Sequence, residues 1–130
     1  MNIDSTSAVP IFRQIADDIR QAIAAGVYKP GEMIPSIRAT SLKTTVNPNT
    51  VQRAYELLER EGLVRARKGL GMFVTTRGAR AAQTRSEEAV SAAFAQGIRA
   101  ALAAGIPSTK VMTAFRKAWR NVRKEERLKT

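Results

Sequence analysis

A mostly α-helical fold with one small β-hairpin is what this 130-residue sequence predicts, on three observations. Apolar residues recur at three- and four-residue steps, the period of an α-helix, in several separate stretches. Two short runs, 63–67 and 72–75, flank the glycine-containing turn Lys68-Gly69-Leu70-Gly71, the pattern of a hairpin. Helix-starting residues (Pro10, Ser36, Asn47 with Pro48, and Pro107 with Ser108) precede the periodic stretches, and Gly26, Gly62 and Gly105 close three of them.

Taken in order, residues 1–9 are expected as a flexible leader, after which Ile11, Ile15, Ile19, Ala22 and Ile23 form one apolar stripe of a first helix. Pro30-Gly31 makes a turn, and Met33-Ile34 offers a short strand before a helix that starts at Pro35-Ser36. From Ile37 to Thr45 the pattern is poor, because Thr40, Ser41, Thr44 and Thr45 supply little apolar surface and are mediocre helix formers; helix is expected there from context. The third helix runs from Pro48 to about Glu61, with Val51, Ala54, Tyr55 and Leu58 on its inner face. Three helices and then a hairpin is the order of a winged helix-turn-helix, placed at 10–76. Residues 77–84, small and polar around Gly78, are expected as a linker. Two further helices fill 85–130 as a hairpin, the first carrying Val90, Phe94, Ile98 and Leu102, the second Val111, Met112, Phe115, Trp119 and Val122.

Charge narrows the function. The net charge of +11 is uneven: residues 1–37 hold three basic and four acidic side chains, 38–80 nine and three, and 81–130 ten and four. An excess that begins at Arg38 fits a polyanion, nucleic acid before membrane, since no strongly apolar face accompanies the basic middle segment. Zero cysteines and zero histidines remove disulfides, thiolate sites and the commonest general base and metal ligand. No paired carboxylates, phosphate loop or activated nucleophile can be assembled, so an enzyme is not expected, nor is any cofactor or metal. The absence of a signal peptide and of a long apolar run points to a cytoplasmic protein.

The organising stretch is the start of the third helix. Opposite its apolar face lie Asn49, Gln52, Arg53 and Glu56, with Asn47 and Thr50 at the start. Short amides, a hydroxyl and an arginine suit base edges and phosphates in a DNA major groove. Ser36 and Arg38 at the preceding capped helix start, and Lys68, Gly69 and Gly71 at a hairpin tip where backbone can approach a phosphate, complete the set.

Over residues 10–75 the chain resembles the GntR-type winged-helix transcription factors. The likeness is carried by Lys29-Pro30-Gly31, Pro35-Ser36-Ile37-Arg38, Asn49-Thr50-Val51-Gln52-Arg53-Ala54-Tyr55, Leu58-Glu59-Arg60-Glu61-Gly62-Leu63 and Lys68-Gly69-Leu70-Gly71-Met72-Phe73-Val74. The short tail looks like that of the YtrA-type branch. The resemblance implies that Arg38 reads a guanine, that Asn49, Thr50 and Gln52 or Arg53 contact bases and phosphates, and that the Lys68-Gly69 tip lies in the minor groove. It also implies that 85–130 is a two-helix dimerisation hairpin. The chain departs from the family pattern at Thr40, Thr44 and Thr45, where a leucine-rich helix ending in glycine is usual, so that helix is expected to pack loosely. Pro48 replaces a frequent arginine, which shifts specificity onto Arg38, Asn49 and Gln52.

Two functions follow. The first is a homodimeric, sequence-specific transcriptional repressor on an inverted-repeat DNA operator. The alternative is a winged-helix adaptor for a protein or an RNA, with the basic last helix supplying affinity for a polyanion. The tail likewise has two arrangements open, pairing with a second copy or folding back on its own winged domain. The sequence identifies no small-molecule effector.

Overall fold

The computed structural model describes residues 1–129 as five helices and one two-stranded sheet. The elements are α1 (Ile11–Ala24), α2 (Ile37–Thr44), α3 (Pro48–Arg60), β1 (Val64–Arg67), β2 (Gly71–Val74), α4 (Thr76–Ala103) and α5 (Ser108–Lys129). The chain divides into two compact units, Met1–Glu87 and Glu88–Thr130, with the boundary inside α4. Among the described residues no helix is long and apolar enough to cross a membrane.

In the first unit the expected stripes meet. Ile15, Ile19 and Ile23 of α1 pack with Val51, Ala54, Tyr55 and Leu58 of α3, closed off by Ile34, Leu63, Val64 and Val74. Burial of these side chains, each worth about 1.5–3 kcal/mol for a full-sized aliphatic, is what holds α1 across α3. Arg20 on α1 clamps the far end of α3 through Glu61 Oε1 at 2.7 Å and also reaches Asp17. Partial burial works against the Arg20 charge, but its hydrogen bonds and attraction to Glu61 and Asp17 outweigh that and raise its pKa. The hairpin pairs Val64 with Val74, Arg65 with Phe73, Ala66 with Met72 and Arg67 with Gly71. Residues 31–34 lie along the free edge of β2, with Ile34 N–H donating to Met72 O and Val74 N–H to Glu32 O, but where a short strand is expected at Met33-Ile34 there is only an isolated bridge, Met33 to Phe73.

Three further expectations need correction. The helix at 37–44 does not pack loosely: Thr40 is buried, its hydroxyl 2.7 Å from the Tyr55 hydroxyl, which in turn donates to Pro35 O at 2.7 Å. A tyrosine has one hydroxyl hydrogen, here given to Pro35, so Thr40 donates to Tyr55. Ser41 adds a bond to Val46 O at 2.6 Å. Hydrogen bonds, rather than an apolar stripe, seat α2.

Residues 77–84 are not a linker but the opening turns of α4. Thr75 Oγ1 accepts from Gly78 N–H at 3.0 Å in the manner of a cap and donates to Gly62 O at 2.6 Å. Gly78, Ala79 and Ala82 are buried, and a Cβ on Gly78 would lie 2.6 Å from both Gly62 O and Leu63 Cα. Small residues stand here because the backbones touch.

Nor is the stretch 1–9 loose. Asp4 N–H donates to Gln14 Oε1 at 2.8 Å, and Gln14 Nε2 donates to Asp4 O and Val9 O, while Ile3 packs against the core. Asp4 folds over Thr6, whose hydroxyl and N–H bonds lower the Asp4 pKa.

The second unit is a hairpin of the C-terminal part of α4 and α5. Phe94 meets Phe115 edge-on at 5.9 Å between ring centroids, and Phe115 meets Trp119 at 6.0 Å. No residue of α5 is buried.

Candidate nucleic-acid interface

The structure places the candidate residues of the first unit on three adjoining pieces of surface. On α2, Ser36 Oγ accepts from Ala39 N–H at 3.0 Å, so its oxygen caps the helix. Two residues on, Arg38 is exposed and makes no hydrogen bond or ion pair among the described residues. Its free guanidinium sits on a helix that the Thr40–Tyr55–Pro35 chain fixes to α3. The turn that follows contains Thr45 at φ 56° and ψ 29°, a left-handed conformation that a β-branched residue adopts only under strain.

On α3, Asn47 Oδ1 accepts from Asn49 N–H at 2.8 Å with Pro48 at the first helical position. The Asn47 oxygen is therefore occupied by the cap, leaving its amide N–H groups for a ligand. Asn49, Gln52, Arg53 and Glu56 are exposed along the outer face and Thr50 is half-buried at its edge. Gln52 Nε2 donates to Glu56 Oε1 at 3.2 Å. Arg53 is held: its guanidinium lies 4.0 Å from the centroid of the Phe12 ring on α1. Stacking on a ring leaves the in-plane N–H groups of an arginine free, which suits a phosphate better than a buried base edge.

The wing supplies the third piece. Leu70 N–H donates to Arg67 O at 3.0 Å across the tip, and Gly69 takes φ 78°, the conformation a tight turn demands. Lys68 is exposed beside it. Gly71 has a different constraint from that expected at a phosphate approach: a Cβ there would lie 2.8 Å from Met33 Sδ. Sequence reasoning passed over Arg65 and Arg67, both exposed on β1, with Arg67 4.5 Å from the Phe73 ring centroid. The signal was present in the alternation of Val64, Arg65, Ala66 and Arg67.

The electrostatics favour an anion because nine basic residues stand against three acidic ones between 38 and 80, and the carboxylates' partners lie elsewhere. Glu56 receives Gln52, Glu59 accepts from Ala66 N–H at 2.9 Å, and Glu61 pairs with Arg20. Those three are all the acidic residues between 38 and 80, and none lies within 4.0 Å of the cationic atoms of Arg38, Arg53, Arg65, Arg67 or Lys68. Among the described residues no group of three carboxylates gathers to hold a metal ion.

An anchored short helix, a tight turn, a second helix with a polar outer face and a basic two-stranded wing define a winged helix-turn-helix protein. The family model described as bacterial regulatory proteins, gntR family, matches residues 12–74. The chain is 37% identical over 75 residues to the HTH-type transcriptional repressor YtrA of Bacillus subtilis (strain 168), which covers 58% of each protein. Among solved structures it is similar to YtrA from Sulfolobus acidocaldarius, a GntR-family transcription factor, at 36% identity and TM-score 0.56, covering 72% of this chain and 96% of that one. A GntR family transcriptional regulator from Listeria monocytogenes aligns at TM-score 0.68 and 28% identity over 88% of this chain and 98% of the other. AraR(DBD) in complex with operator ORX1 aligns at TM-score 0.53 and 25% identity over 58% and 93% respectively. The chain belongs to the GntR family, in its YtrA-type branch. It spans little more than half the length of the first bacterial relatives it matches, 58% and 56%. Those relatives are transcriptional regulators, not enzymes.

Proposed function

We propose that this protein is a cytoplasmic, sequence-specific DNA-binding transcriptional repressor that works as a homodimer on an inverted-repeat operator. The observation that carries the reading is the outward set of Arg38, Asn49 and Gln52, presented by two capped helices locked together through Thr40 and Tyr55. Arg38 and Asn49 supply the paired donors and acceptors that read base edges in a major groove. Arg53, Lys68 and the added Arg65 and Arg67 supply phosphate contacts, which position the protein without reading sequence. The kinship to a repressor named YtrA, and to a domain solved on its operator, supports DNA binding and repression.

Dimerisation is proposed for the tail. Val90, Phe94, Ile98, Leu102, Met112, Phe115, Trp119 and Val122 are each at least 41% exposed, and Val111 is half-buried. An apolar groove of about 820 Å³ runs between the two helices, lined by Phe94, Ile98, Met112 and Phe115. Aromatic and aliphatic surface on this scale is normally covered by a partner, and a second copy of the same hairpin covers both faces at once. Twofold symmetry then sets two recognition helices about one DNA turn, roughly 34–36 Å, apart.

Selection of bound sequences from a random duplex pool tests the function. A two-fold symmetric motif with half-sites about 10 base pairs apart, or a multiple of that, is expected. Recovery of no motif, or of an asymmetric single site, would refute it.

A further inference from the structure

We infer that α5 carries a second nucleic-acid contact, an arginine stripe that holds the phosphate backbone of duplex DNA whatever its sequence. This rests on the DNA-binding reading above. The charge of the tail is concentrated in this one helix, which holds eight basic and two acidic residues. Arg116, Arg120, Arg123 and Arg127 follow at four-, three- and four-residue steps, so they share one side of the helix over about 16 Å of rise. Lys117 and Lys124 extend the same side. Arg116, Lys117, Arg120, Arg123 and Lys124 are exposed, and no carboxylate lies within 4.0 Å of their cationic atoms among the described residues. Of the two acids, Glu126 is taken by Lys129 at 3.2 Å.

The stripe is not a by-product of the apolar packing. Met112, Phe115, Trp119 and Val122 occupy the adjoining face, and on its other flank stand Ala114, Ala118, Asn121 and Glu125. A helix lying in a membrane surface places its cations on both flanks of the apolar face, where long stems reach headgroups on either side. Here the arginines stand on one flank, and the other row carries cations only at its two ends, Lys110 and Lys129. A second copy covering the apolar face would leave that flank open to solvent. Arg116, Arg120 and Arg123, as arginines rather than lysines, fit phosphate oxygens with two parallel hydrogen bonds each. A duplex, already the partner of the first unit, is the polyanion whose charges are spaced closely enough to engage successive arginines.

The experiment compares the full chain with Arg116→Gln/Arg120→Gln/Arg123→Gln in fluorescence anisotropy on a random-sequence duplex across a salt series. Each lost phosphate contact lowers the slope of log K against log salt by about 0.9, so a drop of about 2–3 per protomer is expected, with weaker binding at low salt. The ratio of operator to random-duplex affinity should hold, and the Arg→Lys triple variant should keep the parent slope. An unchanged slope in the glutamine variant overturns the inference, as does loss of binding only to phosphatidylglycerol vesicles. Should that variant misfold, Lys117→Gln/Lys124→Gln serves in its place, with a drop of about 1–2 expected and no drop refuting. If the parent itself binds no duplex, the DNA-binding reading falls too; if the parent binds and discriminates while the variant matches it, only the role of α5 falls.

Discussion

Replacing Tyr55 with phenylalanine removes one oxygen from the centre of the first unit and breaks two hydrogen bonds of 2.7 Å, to Thr40 and to Pro35. Tyr55 is 1% exposed and Thr40 5%, so water cannot replace the lost partner. Two bonds at about 1 kcal/mol net each, plus at least about 1 kcal/mol for a buried threonine hydroxyl left without an acceptor, put the cost near ~3 kcal/mol. Thr40→Val should cost about 1 kcal/mol, and the double variant about 2 kcal/mol, less than Tyr55→Phe alone, because the stranded hydroxyl is gone. Urea unfolding followed by far-ultraviolet circular dichroism, at one fixed protein concentration, reads the difference as a lower midpoint with the slope unchanged. Burial raises the Tyr55 pKa, outweighing the opposing bond from Thr40. The unfolded phenol therefore ionises first, and the stability that the neutral, buried form contributes is lost as pH climbs above about 10 and through the raised native value. That extra alkaline loss should be missing in Tyr55→Phe. A cost below about 0.3 kcal/mol, or two single effects that simply add, would refute the claim that this hydrogen-bond chain seats α2.

Thr45→Gly should stabilise the first unit, because relief of about 1–2 kcal/mol of left-handed strain exceeds the roughly 0.5–1 kcal/mol of added chain entropy; thermal melting checks it, and a lower Tm would contradict it. Trp119→Ala should weaken tail association by about 2–4 kcal/mol, a 30- to 1000-fold rise in the dimer Kd by analytical ultracentrifugation; an unchanged Kd would place the dimer contact elsewhere.

What could be read from sequence divides along physical lines. α1 and α3 were legible because Ile15, Ile19 and Ile23, and Val51, Tyr55 and Leu58, repeat at helical spacing and are buried together. α2 was not, because its anchor is a hydroxyl pair fifteen residues apart, Thr40 with Tyr55, which hydropathy cannot register. The opening of α4 was misread as a linker since glycine and alanine signal flexibility as readily as close packing; only the approach of Gly78 to Gly62 and Leu63 tells them apart. At the candidate site, helical periodicity placed Asn49, Gln52 and Arg53 on the outer face of α3, where they are exposed. It did not foresee that Phe12 would hold the Arg53 guanidinium at 4.0 Å, because that contact joins two helices forty-one residues apart. The side-chain oxygens of Ser36 and Asn47 cap α2 and α3.

The central claim is that the outer faces of α2 and α3 read base edges, and the specificity ratio tests it most directly. Affinity for the selected operator and for random duplex should be measured at one salt concentration for the parent and for Arg38→Ala. The variant should lose about 1–3 kcal/mol of discrimination, a 5- to 150-fold fall in the ratio, while its random-duplex affinity stays close to that of the parent. An unchanged ratio would contradict the account.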